Sequence, residues 1–299
     1  MKILIIGSEG FIGRNCMVYF RAAGHEVLGC DVVGKNEGGF YLVEQEVSDF
    51  DRIFKEVQPD VCINASGSGD VGFSFRYPDK DYTMNVRNVE KILFSIREYA
   101  PACKLLTFSS AAVYGNPIAL PVKENAETNP LSPYGQHKLE CEKLISIYSV
   151  KYNLRACSLR VFSVYGPGLR KQLFWDIFQK AKKNSSVILY GTGKESRDFI
   201  FIDDLLRAIN SVISNANFKG EVINVASGEE TIINYAAALF LSLLGESYKL
   251  NFSGDEKSGD PKNWKADITA LRELGFVPFI NFDTGIKHYA EWVKELKLE

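Results

Sequence analysis

The 299-residue chain lacks any apolar run that reaches the roughly 18–20 residues needed for a membrane-spanning helix. It also lacks blocks of lysine and arginine, and a formal net charge of −2 gives no basic field that would hold nucleic acid. Because a strand-like run follows the first methionine directly, we expect no secretory signal and a cytoplasmic location. These absences argue against membrane and nucleic-acid partners.

Histidine and cysteine are scarce, with three and six residues, and they form neither a C-x-x-C pair nor a spacing typical of a metal site. We therefore predict no metal, and we expect the dispersed cysteines to be small apolar side chains in a reducing compartment. Apolar residues are abundant, at 46% of the chain, with 20 Phe and 14 Tyr. The length and this content predict one large domain, or a large domain with a smaller lobe.

The first 31 residues have the pattern strand, glycine turn, helix, strand and acid. Residues 2–6, KILII, are an uninterrupted apolar run, which is typical of a strand buried on both faces. The turn that follows, GSEGFIG, has glycines at Gly7, Gly10 and Gly13 and opens a helix predicted over residues 11–23. Four apolar residues are predicted to share one face of this helix: Phe11, Cys16, Val18 and Phe20.

This pattern predicts a site for a dinucleotide. The N-terminus of a helix attracts a pyrophosphate, and glycines let the phosphates approach the backbone closely. Asp31, at the end of the second strand, can accept hydrogen bonds from the adenosine ribose of NAD and would repel the 2′-phosphate of NADP. We therefore predict NAD, although Arg14 and Lys35 taken alone favour NADP. The alternative is a glycine-rich turn in another doubly wound protein.

Strand and helix patterns alternate over the first 160 residues, which predicts an α/β Rossmann-type doubly wound parallel sheet. Further strands are predicted in 40–47, 61–65, 104–109 and 154–162, and further helices over 49–57, 82–99 and 134–151. Residues 67–82 contain glycine and proline and are predicted to form a loop near the cofactor. We predict an NAD-binding domain over 1–165 and mainly a substrate-binding lobe over 166–299, with the chain re-entering the first domain around 197–226.

Tyr134 and Lys138 are four residues apart and share one face of a predicted helix. An ammonium beside a phenol favours the phenolate and lowers a pKa that is ordinarily ~10. Such a tyrosine can take a hydroxyl proton while hydride leaves the same carbon. The preceding strand ends in Ser109 and Ser110, which offer a hydroxyl to a reacting carbonyl. The alternative is a surface tyrosine that packs on a lysine stem.

Together these features resemble the extended short-chain dehydrogenase/reductase family, in its nucleotide-sugar epimerase and dehydratase branch, with members like UDP-glucose 4-epimerase. The resemblance implies that Ser110, Tyr134 and Lys138 are catalytic. It implies cofactor contacts from the glycine turn, the ribose acid, two strand ends and the catalytic helix, namely Gly7, Gly10, Phe11, Ile12, Gly13, Asp31, Ala65, Asn85, Ser109, Tyr134 and Lys138. It implies substrate contacts from Ser74, Ser110, Tyr134, Ser163, Arg197 and Lys257, with Arg197 of the SRDFIFIDD segment on the diphosphate.

The resemblance implies an NAD-dependent enzyme that epimerises a nucleotide-diphosphate sugar, most simply at C4. A one-way 4-keto-sugar reductase with the same three residues is the alternative. Dehydratases of the branch carry Asp-Glu where this chain has Ala111 and Ala112, which disfavours 4,6-dehydration. A non-catalytic NAD-binding protein would be expected to have lost these side chains. Two departures affect substrate binding, since Ser163 replaces the usual asparagine and Lys257 stands near an expected arginine.

Three further expectations concern individual side chains and assembly. Arg197 either contacts the diphosphate or forms a local ion pair with Asp198. His137 is expected on the surface of its helix, without a role. The apolar faces of helices 82–99 and 134–151 either cover the sheet or, as the resemblance implies, form a homodimer.

Overall fold

The computed structural model describes residues 1–35, 38–44, 48–245, 247–255 and 259–296. Its strands, in chain order, are β1 (Lys2–Ile6), β2 (Glu26–Asp31), β3 (Phe40–Leu42), β4 (Val61–Asn64), β5 (Lys104–Ser110), β6 (Ala156–Val161), β7 (Ser163–Tyr165), β8 (Ser186–Leu189), β9 (Ser196–Arg197), β10 (Phe199–Phe201), β11 (Lys219–Val225), β12 (Thr231–Ile232) and β13 (Lys249–Phe252).

The α-helices are α1 (Phe11–Ala22), α2 (Phe50–Val57), α3 (Val71–Arg76), α4 (Pro78–Tyr82), α5 (Asn88–Tyr99), α6 (Pro133–Tyr152), α7 (Gln172–Ala181), α8 (Ile202–Asn215), α9 (Ile233–Leu243), α10 (Thr269–Glu273) and α11 (Phe282–Glu295). A π-helical turn, Thr83–Arg87, joins α4 to α5, and a 3₁₀ turn, Ala111–Val113, follows β5.

Seven parallel strands form one sheet in the order β11-β6-β5-β4-β1-β2-β3. The chain therefore runs outward from β1 through β2 and β3 on one side, and through β4, β5, β6 and β11 on the other. In open parallel sheets, ligands bind at the carboxyl ends of the strands where the order reverses, here between β1 and β4. The predicted doubly wound α/β fold is confirmed.

Strand β1 is buried on both faces, as its uninterrupted apolar run predicts. Ile3 and Ile5 belong to one core layer, and Leu4 and Ile6 belong to the layer on the opposite face of the sheet. Helices α1 and α8 contribute to the first layer, whereas α2, α5 and α6 contribute to the second. Burying both faces fixes the end of β1, and hence the start of the glycine turn, in the middle of the sheet.

Helix α1 confirms the helix predicted after the glycine turn, but one residue of its predicted buried face is wrong. Cys16 and Phe20 are fully buried, whereas Val18 is 71% exposed. Two residues correspond to about 200° around a helix with 3.6 residues per turn. Val18 therefore points away from the side of the helix that holds Cys16 and Phe20.

The prediction of a loop over 67–82 is wrong, because this segment contains α3 and α4. The side chain of Asp70 caps α3 by accepting a hydrogen bond of 2.9 Å from the N–H of Phe73, and Pro78 lies in the first turn of α4. Proline is well tolerated there because its missing N–H would have no partner within the helix. The helix predicted over 82–99 is interrupted by the π turn, which carries Asn85.

Beyond β7 the chain builds a smaller body and also returns to the large sheet, where β11 pairs with β6. Three two-stranded ladders lie outside the large sheet: β7 with β10, β9 with β12, and β8 with β13. Aromatic rings in mutual contact fill this part of the molecule: Tyr165, Phe174, Phe199, Phe240, Phe282 and Tyr289. In the described part of the chain, no helix has both the length and the apolar character to cross a membrane.

Candidate active site

The glycine turn between β1 and α1 is too tight for side chains. Gly7 has a φ of +81°, and a Cβ at this position would lie 2.6 Å from the backbone of Ala65. A Cβ on Gly13 would overlap the carbonyl oxygen of Gly7. Gly10, which precedes α1, provides no side-chain cap. The first N–H groups of α1 are therefore available to an anion.

Asp31 ends β2 beside the same turn. One of its carboxylate oxygens accepts a hydrogen bond of 2.8 Å from the N–H of Glu9, and the other accepts one of 2.7 Å from the N–H of Val32. The carboxylate lines a cavity of about 300 Å³ together with the glycine turn. Phe11 and Ile12, half-buried, form the first turn of α1. The predicted ribose acid and the predicted pyrophosphate site thus share one cleft.

Asn85 on the π turn has an unused buried acceptor. Its Nδ2 donates to the carbonyl oxygens of Ser68, at 3.3 Å, and Asp81, at 3.1 Å. Its Oδ1 is buried and has no hydrogen-bond partner among the residues described. An orphaned buried acceptor costs free energy until a donor reaches it, and the hydroxyls and carboxamide of a dinucleotide are suitable donors.

These features together fit NAD. The uncapped start of α1 suits its pyrophosphate, and the carboxylate of Asp31 suits its adenosine ribose. Ala65, which follows β4, also lines the cavity beneath the turn. The free oxygen of Asn85 lies against Gly67, which lines the same cavity.

A glycine at the start of α6 lets this helix pack against the end of β5. Ser110, the last residue of β5, accepts a hydrogen bond of 3.1 Å from the N–H of Ala112 and so caps the 3₁₀ turn. Ser132 caps α6 in the same way, at 3.1 Å from the N–H of Gly135. A Cβ on Gly135 would lie 2.7 Å from the carbonyl oxygen of Ala112. Only glycine lets the first turn of α6, with Tyr134, pack this closely against the turn that begins at Ser110.

Lys138 lies one helical turn after Tyr134 and is buried. Its Nζ donates a hydrogen bond of 3.0 Å to the carbonyl oxygen of Phe108 and lies 5.8 Å from the centre of the Tyr134 ring. The structure thus brings Ser110, Tyr134 and Lys138 to one strand end. A positive charge held beside a half-buried phenol is the arrangement that proton transfer by tyrosine requires.

Behind this strand end lies a buried polar network that the sequence analysis missed. Glu142 accepts hydrogen bonds from Arg160, at 2.9 and 2.7 Å, and from the hydroxyl of Ser109, at 2.5 Å. Arg160 also donates to the hydroxyl of Tyr114 at 2.8 Å. Ser109, predicted to contact the cofactor, therefore has its hydroxyl proton directed at Glu142. The available signal was the arginine within the apolar strand β6, since a buried charge requires a partner.

The surroundings shift two pKa values in this network. Burial raises the pKa of Tyr114 to about 12, although the neighbouring Arg160 opposes this. Burial by itself would lower the pKa of Arg160, but the hydrogen bonds and charge of Glu142 outweigh burial and raise it. Both groups therefore keep their protons at neutral pH, and the network is a fixed support rather than a proton acceptor.

Arg197 and Asp198 face different partners. Arg197 donates to the carbonyl oxygens of Ser196, at 2.8 Å, and Lys262, at 3.2 Å, and its guanidinium lies over the ring of Trp264. The carboxylate of Asp198 instead accepts hydrogen bonds from backbone N–H groups of the turn after β11 and of the segment beyond Trp264. The Trp264 indole N–H donates to the carbonyl oxygen of Gly115 at 3.1 Å, which links Arg197 to the end of the 3₁₀ turn.

The remaining predicted substrate contacts are placed less favourably. Ser74 is fully buried, and its hydroxyl donates to the carbonyl oxygen of Val71 in its own helix. Ser163 is half-buried at the start of β7. Lys257 lies outside the described residues. The expectation that His137 lies on the helix surface is wrong, because only 9% of it is exposed and its ring nitrogen contacts Asp81.

Comparison with known proteins identifies the family of this chain. The family model described as the NAD dependent epimerase/dehydratase family matches residues 3–226. A putative UDP-glucose 4-epimerase of Methanocaldococcus jannaschii is 29% identical over 308 residues, which cover 98% of this chain and 98% of that protein.

Two solved structures share the whole fold. The UDP-glucose 4-epimerase of Thermotoga maritima with UDP-glucose has a TM-score of 0.90 and 26% identity, with 100% of both chains covered. The UDP-glucuronic acid 4-epimerase of Bacillus cereus, in complex with UDP-glucuronic acid and NAD, has a TM-score of 0.89 and 25% identity and covers 99% of this chain and 100% of that one. The family resemblance seen in the sequence is confirmed: the chain belongs to the NAD-dependent epimerase/dehydratase family and is an enzyme with NAD as its cofactor.

Proposed function

We propose that the protein epimerises a nucleotide-diphosphate sugar at C4. The observation that carries this proposal is the packing of the first turn of α6 on the end of β5. Through Gly135, that packing gathers Ser110, Tyr134 and Lys138 at the end of β5. The named relatives support it, since those described above are UDP-glucose or UDP-glucuronic acid 4-epimerases.

Each of the three residues has a distinct role in the proposed reaction. Tyr134 takes the proton of the C4 hydroxyl, Ser110 donates a hydrogen bond to the oxygen as it becomes a carbonyl, and Lys138 supplies positive charge beside Tyr134. NAD, when bound, would supply the acceptor for the hydride of C4 and the source from which that hydride returns. Tyr134 then gives back the proton after the 4-keto sugar has turned its other face, so the reaction has no net redox change.

Substrate binding is proposed to involve the smaller lobe formed mainly by residues 166–299. Arg197 is the proposed diphosphate ligand, because its guanidinium is held on Trp264 near the end of the 3₁₀ turn and carries a full positive charge. Ser163 and Lys257 are proposed as further contacts. The first domain, 1–165, is proposed to hold NAD.

The end of β5 disfavours 4,6-dehydration but does not separate epimerisation from simple reduction. Ala111 and Ala112 occupy the 3₁₀ turn directly after Ser110, where a dehydratase would need acids to protonate a leaving hydroxyl. A 4-keto-sugar reductase would use the same three residues but would consume reduced cofactor. Net cofactor consumption therefore separates epimerase from reductase.

The test is incubation of the purified protein and NAD with UDP-glucose, UDP-glucuronic acid and the corresponding dTDP, GDP and CDP sugars. We expect the C4 epimer to form until both isomers are present, without a lasting change in reduced-nicotinamide absorbance. Stoichiometric oxidation of added NADH with a 4-keto sugar would identify a reductase instead. Absence of turnover on all these sugars, with NAD bound, would contradict catalysis of this class.

We also propose that the enzyme is a homodimer formed through α5 and α6. Phe94, Ile147 and Val150 on these helices are exposed large apolar side chains. Burying such side chains against a second copy stabilises association, at ~25 cal/mol per Å² of apolar surface. Light scattering of the purified protein is expected to give twice the mass of the 33.5 kDa chain. A monomer mass would contradict this proposal.

A further inference from the structure

His137 forms a buried pair with Asp81 beside the proposed catalytic residues. The Nδ1 atom of His137 lies 2.6 Å from Oδ2 of Asp81, and the side chains are 11% and 0% exposed. Tyr82 packs edge-on against the imidazole, with ring centres 5.3 Å apart. His137 immediately precedes Lys138 in the first turns of α6, so the pair anchors that part of α6 to the end of α4.

Asp81 makes a second connection through its backbone. Its carbonyl oxygen accepts a hydrogen bond of 3.1 Å from Nδ2 of Asn85, which lies in the π turn that follows α4. A single residue therefore contacts the helix of Tyr134 and Lys138 through its side chain, and the amide of Asn85 through its backbone. The direction of that amide decides whether its free oxygen points toward a donor.

Burial of this polar pair costs folding free energy. A carboxylate without solvent exposure loses its hydration, and Oδ1 of Asp81 has no hydrogen-bond partner among the described residues. Two apolar residues would fill the same space at lower cost in folding free energy, so a retained polar pair can instead select one arrangement of the elements that it joins. The elements joined here are α6, which carries Tyr134 and Lys138, and the end of α4, which leads into the π turn of Asn85.

We propose that Asp81 and His137 are positioning residues that fix Asn85 and the Tyr134–Lys138 turn relative to each other, so that both reach the nicotinamide half of bound NAD. The catalytic part of this inference rests on the proposed function, through the roles given to Tyr134 and Lys138. The cofactor-binding part rests on the family assignment and on the geometry of Asn85. Neither residue is required to touch NAD or the sugar.

The test compares His137→Leu, which cannot donate to Asp81, with His137→Asn, whose amide nitrogen occupies the place of Nδ1. NAD affinity is measured by calorimetric titration without sugar, and kcat and KM are measured with the sugar that the enzyme accepts. For His137→Leu we expect NAD affinity and kcat each to fall by about tenfold, because small displacements of positioned groups are costly. The KM for sugar should change little. His137→Asn should restore both values to within about threefold of the native enzyme.

A matched control is Glu90→Gln on α5, which removes an exposed ion pair with Arg87 at the end of the π turn and should leave NAD affinity unchanged. If His137→Leu does not fold, Asp81→Asn/His137→Leu replaces the unpaired carboxylate with a neutral amide and is expected to show the same loss. The inference is overturned if the folded Leu variant binds NAD and turns over at native rates, even with a lower melting temperature. Because NAD binding is measured without sugar, failure of the native enzyme on every sugar would refute the proposed function and not this inference.

Discussion

Arg160 and Glu142 form two hydrogen bonds, of 2.9 and 2.7 Å, between the large sheet and α6. Their side chains are only 5% and 6% exposed. The same carboxylate holds the hydroxyl of Ser109, the neighbour of Ser110. This ion pair therefore supports the end of β5 through Ser109.

We predict that Arg160→Met lowers the free energy of unfolding by about 3–5 kcal/mol, because the carboxylate of Glu142 is left buried and unpaired. Urea denaturation measures the change. Arg160→Met/Glu142→Met should recover most of the stability, since both charges are removed together. Arg87→Met, in an exposed pair with Glu90, should cost about 1 kcal/mol or less and is the control. Equal losses for Arg160→Met and Arg87→Met would contradict the importance of burial.

Tyr134→Phe removes only the hydroxyl that the proposed reaction uses. We predict a decrease in kcat of about 10²–10⁴-fold, with NAD affinity nearly unchanged, because the aromatic ring and the ammonium of Lys138 stay in place. Product formation by chromatography and NAD titration by calorimetry give the two values. Tyr190→Phe, an exposed tyrosine after β8, is the control and should behave as the native enzyme. Unchanged turnover in Tyr134→Phe would refute its role as the base.

Asp31→Asn tests the choice of cofactor. We predict that NAD affinity falls by about tenfold, because a hydrogen bond to a charged acceptor is worth roughly 1.5–3 kcal/mol. NADP affinity should rise, because the charge that repels the 2′-phosphate is gone. Parallel titrations with NAD and NADP measure this shift, and Asp176→Asn, in an exposed ion pair on α7, provides a charge-matched control. An unaltered preference would show that another group reads the ribose.

Gly135→Ala tests the close approach of α6 to the end of β5. The added methyl group would lie 2.7 Å from the carbonyl oxygen of Ala112, so one of the two turns must move. We predict a loss of kcat of about 10²-fold, because an ångström of misplacement in a catalytic group has this order of effect. Gly69→Ala adds the same methyl group where no atom lies within 4 Å and should leave kcat unchanged. Similar kcat values for both alanine variants would contradict the close approach.

The sequence allowed the fold and the cofactor to be predicted because their signals are local. The glycine turn, Asp31 and the Tyr134–Lys138 pair each lie within a short segment, and their spacing follows from one turn, strand or helix. The alternation of strands and helices then places the strand ends on one edge of the sheet. These features are decided by the backbone, so the side chains of distant segments have little influence on them.

The remaining features depend on residues far apart in the chain. His137 and Asp81 are separated by 56 positions, and Ser109 and Glu142 by 33, so neither contact leaves a periodic pattern in the sequence. His137 lies between Gln136 and Lys138 and has the polar surroundings of a surface residue. Only the packing of α6 against α4 buries it. The error at Val18 has another origin, since an apolar residue there suggested a wider buried face than α1 has.

The contact between Trp264 and Gly115 joins positions 149 residues apart. Synthesis of the first half of the chain therefore produces the proposed catalytic side chains without the indole that donates a hydrogen bond to Gly115. Activity should appear only once synthesis is nearly finished, since long-range contacts form last. For the same reason, we expect deletion of the residues after α9, which include Trp264, to lower kcat as well as the proposed sugar binding. The N-terminal and C-terminal halves of the chain therefore cannot be exchanged independently.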